Sequence, residues 1–112
     1  MKISKGDTDM SDGYNGFNCF MNETGEIGKS YINMIMQQEK SSALDRKTHE
    51  LAYISVLSAT RIIGGLVYHV KSAKNLGASR DEVKSAVLVG LSAVGLIIID
   101  PLEAALEAYD KD

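Results

Sequence analysis

The stretch of sequence that decides the fold covers residues 45–77 and reads DRKTHELAYISVLSATRIIGGLVYHVKSAKNLG. Asp45 is a favourable N-cap residue, and the segment from Asp45 to Thr60 is apolar on nearly all sides, which predicts a buried helix. A second helix is predicted from Arg61 to Leu76, ended by Gly77 in the left-handed conformation that glycine adopts readily. We expect the two helices to form an antiparallel hairpin.

The flanking sequence extends the helical pattern on both sides of this hairpin. Helices are predicted from Glu26 onward, and the short apolar segment from Tyr31 to Met36 ends in the polar run Gln37–Ser42. After the hairpin, the residues from Ser79 to Glu82 match a capping box, which opens a further helix. The order Asp100-Pro101-Leu102-Glu103 predicts a last, short helix that begins with a cap residue and a proline and ends near Tyr109. Strict two-residue alternation is missing, so the sequence predicts an all-α fold of about five helices.

The stretch Ala86–Ile99 consists of apolar and small residues and is broken only by Ser92. It is shorter than the ~20 residues that a helix needs to cross a bilayer, and Gly90 and Gly95 interrupt it. We therefore expect a core helix, or a helix buried between subunits, and no membrane partner.

The first 25 residues differ from the rest of the chain. Glycine, aspartate, asparagine and serine dominate residues 5–22, a composition typical of turns. This predicts a loop-rich N-terminal segment, residues 1–25, followed by a helical domain, residues 26–112. The exceptions are apolar residues that we expect to fold over the body or a neighbouring subunit: Tyr14, Phe17, Cys19, Phe20 and Met21.

Composition excludes several classes of function. A length of 112 residues suits one domain, and a net charge of −3 argues against nucleic acid as a partner. The one cysteine, Cys19, excludes an internal disulfide and a cysteine-rich zinc site. His49-Glu50 begins like a zinc-protease motif, but Tyr53 stands where the second histidine is needed. No metal or cofactor is predicted, and no segment resembles a signal peptide, so we expect a cytoplasmic protein.

Glu50 and His69 are the candidate catalytic residues. Glu50 shares a helical stripe with Ile54 and Leu57, so it faces the interior or a cleft. Burial raises the pKa of a carboxyl group unless a cationic partner lowers it again. In an antiparallel hairpin Glu50 and His69 can face each other, and a carboxylate–imidazole pair suits proton transfer. The alternative is a structural role, in which His69 is a satisfied core residue and Glu50 ties down a helix end.

Gly64-Gly65 is the other unusual feature of the hairpin. Two glycines inside a helix cost roughly 2 kcal/mol relative to alanines. Such a pair usually marks the close approach of another helix or of a ligand. Because it lies one turn before His69, it is a candidate to leave space for a small substrate.

The sequence resembles the carboxymuconolactone decarboxylase family, over about Ile27 to Tyr109. The resemblance rests on the order and spacing of several short pieces: Leu44-Asp45-Arg46-Lys47, Glu50-Leu51, His69 with Ala73, Gly77-Ala78-Ser79, and Glu82-Val83. It implies an AhpD-like helical bundle with a central antiparallel hairpin, and homotrimers or homohexamers as the assembly. The apolar helix surface, which exceeds what five short helices bury alone, also favours oligomers.

One branch of that family departs from this sequence in an informative way. The AhpD-like alkylhydroperoxidases, which are related in function to peroxiredoxins, carry a Cys-x-x-Cys pair before the histidine. The matching positions here are Ile62 and Gly65, so dithiol peroxidase chemistry is excluded for this chain. Glu50 and His69 match the proton-relay residues of that branch.

The decarboxylase branch does not need the cysteine pair. The resemblance to it implies a lyase that removes carbon dioxide from a small carboxylated substrate, with His69 or Glu50 as the acid that protonates carbon. Arg61, or else Lys71, is the candidate to hold the substrate carboxylate, with Gly64 and Gly65 beside it.

Two alternatives to this hypothesis stay open. The first is a non-catalytic binding or assembly subunit, in which Ile62 fills the space between Glu50 and His69. The second is a role in antioxidant defence without the dithiol, which would use Cys19 across a subunit boundary.

Overall fold

The computed structural model describes residues 15–111, and every regular element in that part of the chain is helical. This confirms the all-α prediction. Seven α-helices and one 3-10 turn follow each other: α1 (Asn15–Glu23), α2 (Glu26–Ser41), α3 (Arg46–Ala59), α4 (Ile63–Asn75), α5 (Arg80–Leu88), α6 (Leu91–Val94), the 3-10 turn Gly95–Ile98, and α7 (Ile99–Asp110).

The described residues form two compact units, of which the first ends at Ala43 and contains α1 and α2. Gly25, with φ 56°, separates the two helices. Gly28 lets them pack closely, because a Cβ there would lie 3.2 Å from Met21 Sδ and 3.5 Å from Met21 Cα of α1. The rings of Phe20 and Tyr31 meet edge to face at 5.6 Å.

One expectation for this region differs from the structure. Residues 1–25 were expected to be loop-rich, but they include α1; residues 1–14, with Tyr14, lie outside the described part. Helix α2 includes most of the polar run Gln37–Ser42 and ends at Ser41. Glutamine, glutamate and lysine are good helix formers, so exposed polar positions extend α2.

The second unit begins at Leu44 and is built on the predicted hairpin of α3 and α4. Asp45 caps α3, its side chain accepting a hydrogen bond from the backbone N–H of Thr48 at 2.8 Å. Helices α5 and α7 cover the hairpin. The core between these helices is apolar, and its fully buried side chains include Ile54, Leu66, Val70, Val83, Val87 and Ala105.

The turn between α3 and α4 is longer than the sequence predicted, because residues 60–62 separate the two helices. Arg61 does not start the second helix but has a left-handed backbone, with φ 59°, and α4 begins at Ile63. An L-residue in that conformation costs on the order of 1 kcal/mol. Contacts of the guanidinium offset this cost, because it donates to the Ile97 carbonyl at 3.4 Å and to Asp100 at 3.2 Å.

The continuous helix expected over Ala86–Ile99 is absent, and the chain bends there instead. Gly95 has φ 73°, which L-residues avoid, and the Cβ of a residue at Gly90 would lie 3.6 Å from Ala59 Cβ. Asp100 does not cap the last helix as predicted, since α7 begins at Ile99 and Asp100 pairs with Arg61.

The segment Arg80–Asp110 is long and apolar enough to cross a membrane by length and composition alone. Length and composition are weak evidence for a membrane-spanning helix, because core helices of globular proteins meet the same two criteria. In this fold the segment is not one straight helix, since α7 returns to pack on α4 and α5.

The end of α7 is fastened to the junction of α4 and α5. The Tyr109 hydroxyl donates to the Ala78 carbonyl at 2.7 Å, and Lys74 Nζ donates to the Tyr109 carbonyl at 2.7 Å. Arg80 and Asp110 form a two-contact ion pair at 2.9 and 3.0 Å. These hydrogen bonds hold the end of α7 against the end of α4 and the start of α5.

We expect Tyr109→Phe to lower the free energy of unfolding by about 1 kcal/mol, because the buried Ala78 carbonyl loses its hydroxyl donor. Urea unfolding followed by circular dichroism measures this change. Tyr31→Phe, which removes the hydroxyl of an exposed tyrosine, serves as the control. Equal midpoints for Tyr109→Phe and the unmodified chain would contradict the prediction.

Candidate functional site

Three side chains from two helices meet at one end of the hairpin. Glu50 lies near the start of α3, on the face that also carries the buried Ile54. His69 and Ser72 lie three residues apart on α4, so both project from the same side of that helix. Because α3 and α4 run antiparallel, the start of α3 lies beside the middle and end of α4.

The two α4 residues bind the carboxylate of Glu50. His69 Nδ1 lies 2.8 Å from Glu50 Oε2 and 3.2 Å from Oε1. The Ser72 hydroxyl donates to Oε1 at 2.9 Å. Glu50 is only 9% exposed, so the carboxylate depends on these donors in place of water.

The charge state of Glu50 follows from these contacts. Burial raises the pKa of Glu50, but hydrogen bonds from His69 and Ser72, with the positive charge of His69 and His49, outweigh burial and hold the pKa below its usual 4.5. The group is therefore ionised at neutral pH.

An ionised Glu50 decides which nitrogen of His69 carries the hydrogen. A carboxylate only accepts hydrogen bonds, so Nδ1 must donate, in the neutral ring as well as in the protonated ring. Loss or gain of a proton by the ring therefore takes place at Nε2 while Nδ1 donates to Glu50. Such an arrangement can act as a general base or a general acid.

Aromatic rings surround His69. Tyr53 of α3 and Tyr68 of α4 meet the imidazole edge to face, at centroid distances of 4.3 and 5.1 Å. Each tyrosine is 37% exposed, so both border the site and also reach its surface. His49 lies parallel to Tyr53 at 6.5 Å.

Sequence reasoning predicted the pair but missed Ser72 and the role of the two tyrosines. Ser72 follows His69 by three residues, and Tyr53 follows Glu50 by three, which is the spacing of neighbours on one helical face. That spacing is the signal in the sequence that Ser72 and Tyr53 lie on the same helical faces as His69 and Glu50. Nothing in the sequence shows that the serine bonds to the carboxylate.

The structure does not bring Arg61 to this pair. Arg61 lies beyond the other end of α3, eleven residues after Glu50, which is about 16 Å along a helix. Its guanidinium is engaged by Asp100. Lys71 lies half-buried on α4, between His69 and Ser72 in sequence.

Gly64 and Gly65 occupy the first turn of α4 and are half-buried. A Cβ at Gly65 would lie 3.5 Å from side-chain atoms of Leu57 and Ile62, which is ordinary packing distance. The expectation that Ile62 fills the space between Glu50 and His69 is wrong. These two side chains touch directly, and Ile62 is 53% exposed at the start of α4.

Fold and site together define an all-α protein with a carboxylate–imidazole pair held across a helix hairpin. The model of the carboxymuconolactone decarboxylase family matches residues 26–108, from α2 to α7. The chain therefore belongs to that family, as its sequence predicted. Neither the curated proteins nor the solved structures contain a significant match to the chain.

The lowered pKa of Glu50 predicts a pH dependence of stability. A carboxyl group whose pKa is lower in the folded state stabilises the fold above its unfolded pKa, near 4.5, and this contribution is lost as the pH falls through the folded value. The Glu50→Gln variant lacks this stabilising contribution, because glutamine does not ionise. We expect Glu50→Gln to be less stable by about 2 kcal/mol near pH 5.5, with the difference shrinking as the pH falls below 4.5.

Urea unfolding of both chains across this pH range tests the prediction. Glu103→Gln, the same change at an exposed position of α7, is the control and should track the unmodified chain. A stability difference that stays constant or grows as the pH falls would show that Glu50 has no lowered pKa.

Proposed function

We propose that the chain is an acid–base enzyme that removes carbon dioxide from a small carboxylated molecule, with Glu50 and His69 as its catalytic pair. The observation that carries this proposal is the 2.8 Å contact between His69 Nδ1 and the buried Glu50 carboxylate. Membership in the carboxymuconolactone decarboxylase family supports the reaction class. The proposal includes the cytoplasmic location predicted from the sequence.

In the proposed reaction the bond between the substrate's carboxylate carbon and its neighbour breaks. Carbon dioxide leaves, and the bonding electron pair passes into a conjugated carbonyl group of the substrate, which becomes an enolate. Protonated His69 then donates the proton from Nε2 to carbon. The ring is left neutral with its hydrogen on Nδ1, the form that Glu50 accepts from, and water restores the Nε2 proton.

The surroundings of the pair suit this chemistry. Tyr53 and Tyr68 keep apolar ring edges against the imidazole, which limits the access of water to it. Arg61 is left out of this proposal, because it lies at the opposite end of the hairpin and is paired with Asp100. Gly64 and Gly65 are left out as well, since Gly65 packs against Leu57.

Dithiol redox chemistry is not proposed. The chain contains one cysteine, Cys19, which is exposed on α1. Antioxidant activity that depends on Cys19 would be lost in Cys19→Ser.

We expect Glu50→Gln and His69→Ala each to lower kcat by about 100-fold or more, because general acid–base catalysis contributes factors of that size. The probe is carboxymuconolactone, the compound in the family's name, with carbon dioxide release followed by ¹³C NMR. Glu103→Gln is the matched control and should keep full activity. Turnover that survives both substitutions would overturn the proposed mechanism.

A second candidate function, an assembly subunit, is favoured by an exposed apolar surface at the other end of the hairpin. We call this surface the apolar end. Its residues are each at least 40% exposed: Val56, Ile62, Val89, Leu91, Leu96, Ile97 and Ile99. Contacts of Arg61 with Ile97 and of Gly90 with Ala59 bring the segments that carry these residues together.

A surface of this kind on a small domain suits burial against another copy of the chain. The homotrimer or homohexamer implied by the sequence resemblance would cover it. Assembly through the apolar end is compatible with catalysis, because Glu50 lies near the start of α3 and His69 at the middle of α4, away from the turn that joins the two helices.

We expect Leu96→Glu to weaken self-association at least tenfold. Leu96 is 72% exposed, so the change places a charge in the subunit interface without disturbing the core. Size-exclusion chromatography with light scattering measures the mass across a dilution series. Ser85→Glu adds the same charge to an exposed position of α5 and is the control. An unchanged oligomer in Leu96→Glu, or a monomeric unmodified chain, would contradict assembly through the apolar end.

A further inference from the structure

Ser72 makes a hydrogen bond that serines inside helices seldom make. A helical serine usually donates to the carbonyl four residues earlier in its own helix. Ser58 does so, donating to the Ile54 carbonyl at 2.8 Å, and Ser55 contacts two backbone carbonyls, that of Leu51 at 3.2 Å and that of Ala86 in α5 at 2.7 Å. Ser72 instead donates across the hairpin to Glu50 Oε1 at 2.9 Å.

This bond excludes one obvious role for the hydroxyl. A serine nucleophile gives its proton to a neighbouring imidazole. The Ser72 hydroxyl is directed at the carboxylate of Glu50, and the imidazole of His69 is directed at the same carboxylate. Ser72 and His69 therefore act in parallel on Glu50, and the serine is not activated by the histidine.

The bond also limits how the carboxylate can rotate. Oε1 takes the hydroxyl and Oε2 takes the shorter of the two contacts to His69, 2.8 Å against 3.2 Å. Rotation of the carboxylate would disturb both hydrogen bonds together. Without the hydroxyl, Oε1 would keep only the longer, 3.2 Å contact to His69 Nδ1 in a site where Glu50 is only 9% exposed, and the ionised form would be less favoured.

We propose that Ser72 is a positioning residue that holds the Glu50 carboxylate in the orientation from which Oε2 fixes His69 in its Nδ1–H tautomer. Ser72 does not touch the substrate. It acts through Glu50 on His69 and so keeps the Nε2 nitrogen as the site of proton exchange. The catalytic consequence of this role rests on the proposed function; the effect on the tautomer does not.

NMR tests the positioning role without any substrate. A ¹³C titration of the Glu50 carboxyl group reports its pKa, and ¹⁵N shifts of the His69 ring report the tautomer. We expect Ser72→Ala to raise the pKa of Glu50 by about one pH unit and to lower the fraction of the Nδ1–H tautomer. Alanine is the best helix former, so α4 should stay intact, which circular dichroism checks.

Matched variants separate the hydroxyl from packing. Ser72→Thr keeps a hydroxyl and should give the pKa of Glu50 and the His69 tautomer of the unmodified chain. Ser72→Val has the shape of threonine without the hydroxyl and should behave like Ser72→Ala. Ser58→Ala removes a fully buried serine that does not contact Glu50, and it should change neither signal. His49, whose charge also acts on Glu50, is retained in every variant.

The proposal is overturned if Ser72→Ala leaves the tautomer and the pKa of Glu50 unchanged, or if Ser58→Ala changes them equally. With carboxymuconolactone as the probe, we expect Ser72→Ala to lower kcat about tenfold at unchanged KM. Changed NMR signals without any turnover by the unmodified chain would overturn the proposed function and leave the role of Ser72 standing. Turnover by the unmodified chain, with NMR signals that Ser72→Ala leaves unchanged, would overturn the role of Ser72 and leave the proposed function standing.

Discussion

A buried carboxylate is the constraint around which the α3–α4 hairpin is organised. Glu50 lies on the core face of α3, where an ionised group without donors would be severely destabilising. Both of its donors, His69 and Ser72, come from α4. The two helices must therefore pack in the one register that places these donors beside Glu50. The apolar contacts of the core further along the hairpin agree with that register.

The hairpin has two chemically different ends. Toward one end the carboxylate–imidazole pair lies beside aromatic rings, and at the other the turn at Arg61 lies among exposed apolar side chains. In the redox branch that the sequence resembles, cysteines stand where this chain has Ile62 and Gly65. Here these positions supply packing contacts at the start of α4. The chain thus has a directly bonded glutamate and histidine, and an exposed apolar residue, Ile62, at one of the positions where that branch has a cysteine.

Local sequence signals predicted the parts of the fold that depend on local interactions. The Asp45 cap and the Ser79–Glu82 capping box are both present, because each involves residues three apart. The break after Leu88 and the left-handed turn at Arg61 were missed. Both depend on distant partners: Gly90 approaches Ala59, and Arg61 reaches Asp100. No pattern within a single helix reports such contacts.

The sequence by itself determined the helical class, the hairpin, the family and the candidate pair, since hydrophobic periodicity, caps and residue types act over short distances. Only the tertiary structure decided what Glu50 touches. It showed that Ser72 joins the pair and that Arg61 lies with Asp100 at the far end of α3. The reason is physical: a shared helical stripe fixes the direction of a side chain, but its partners depend on how another helix packs against that stripe.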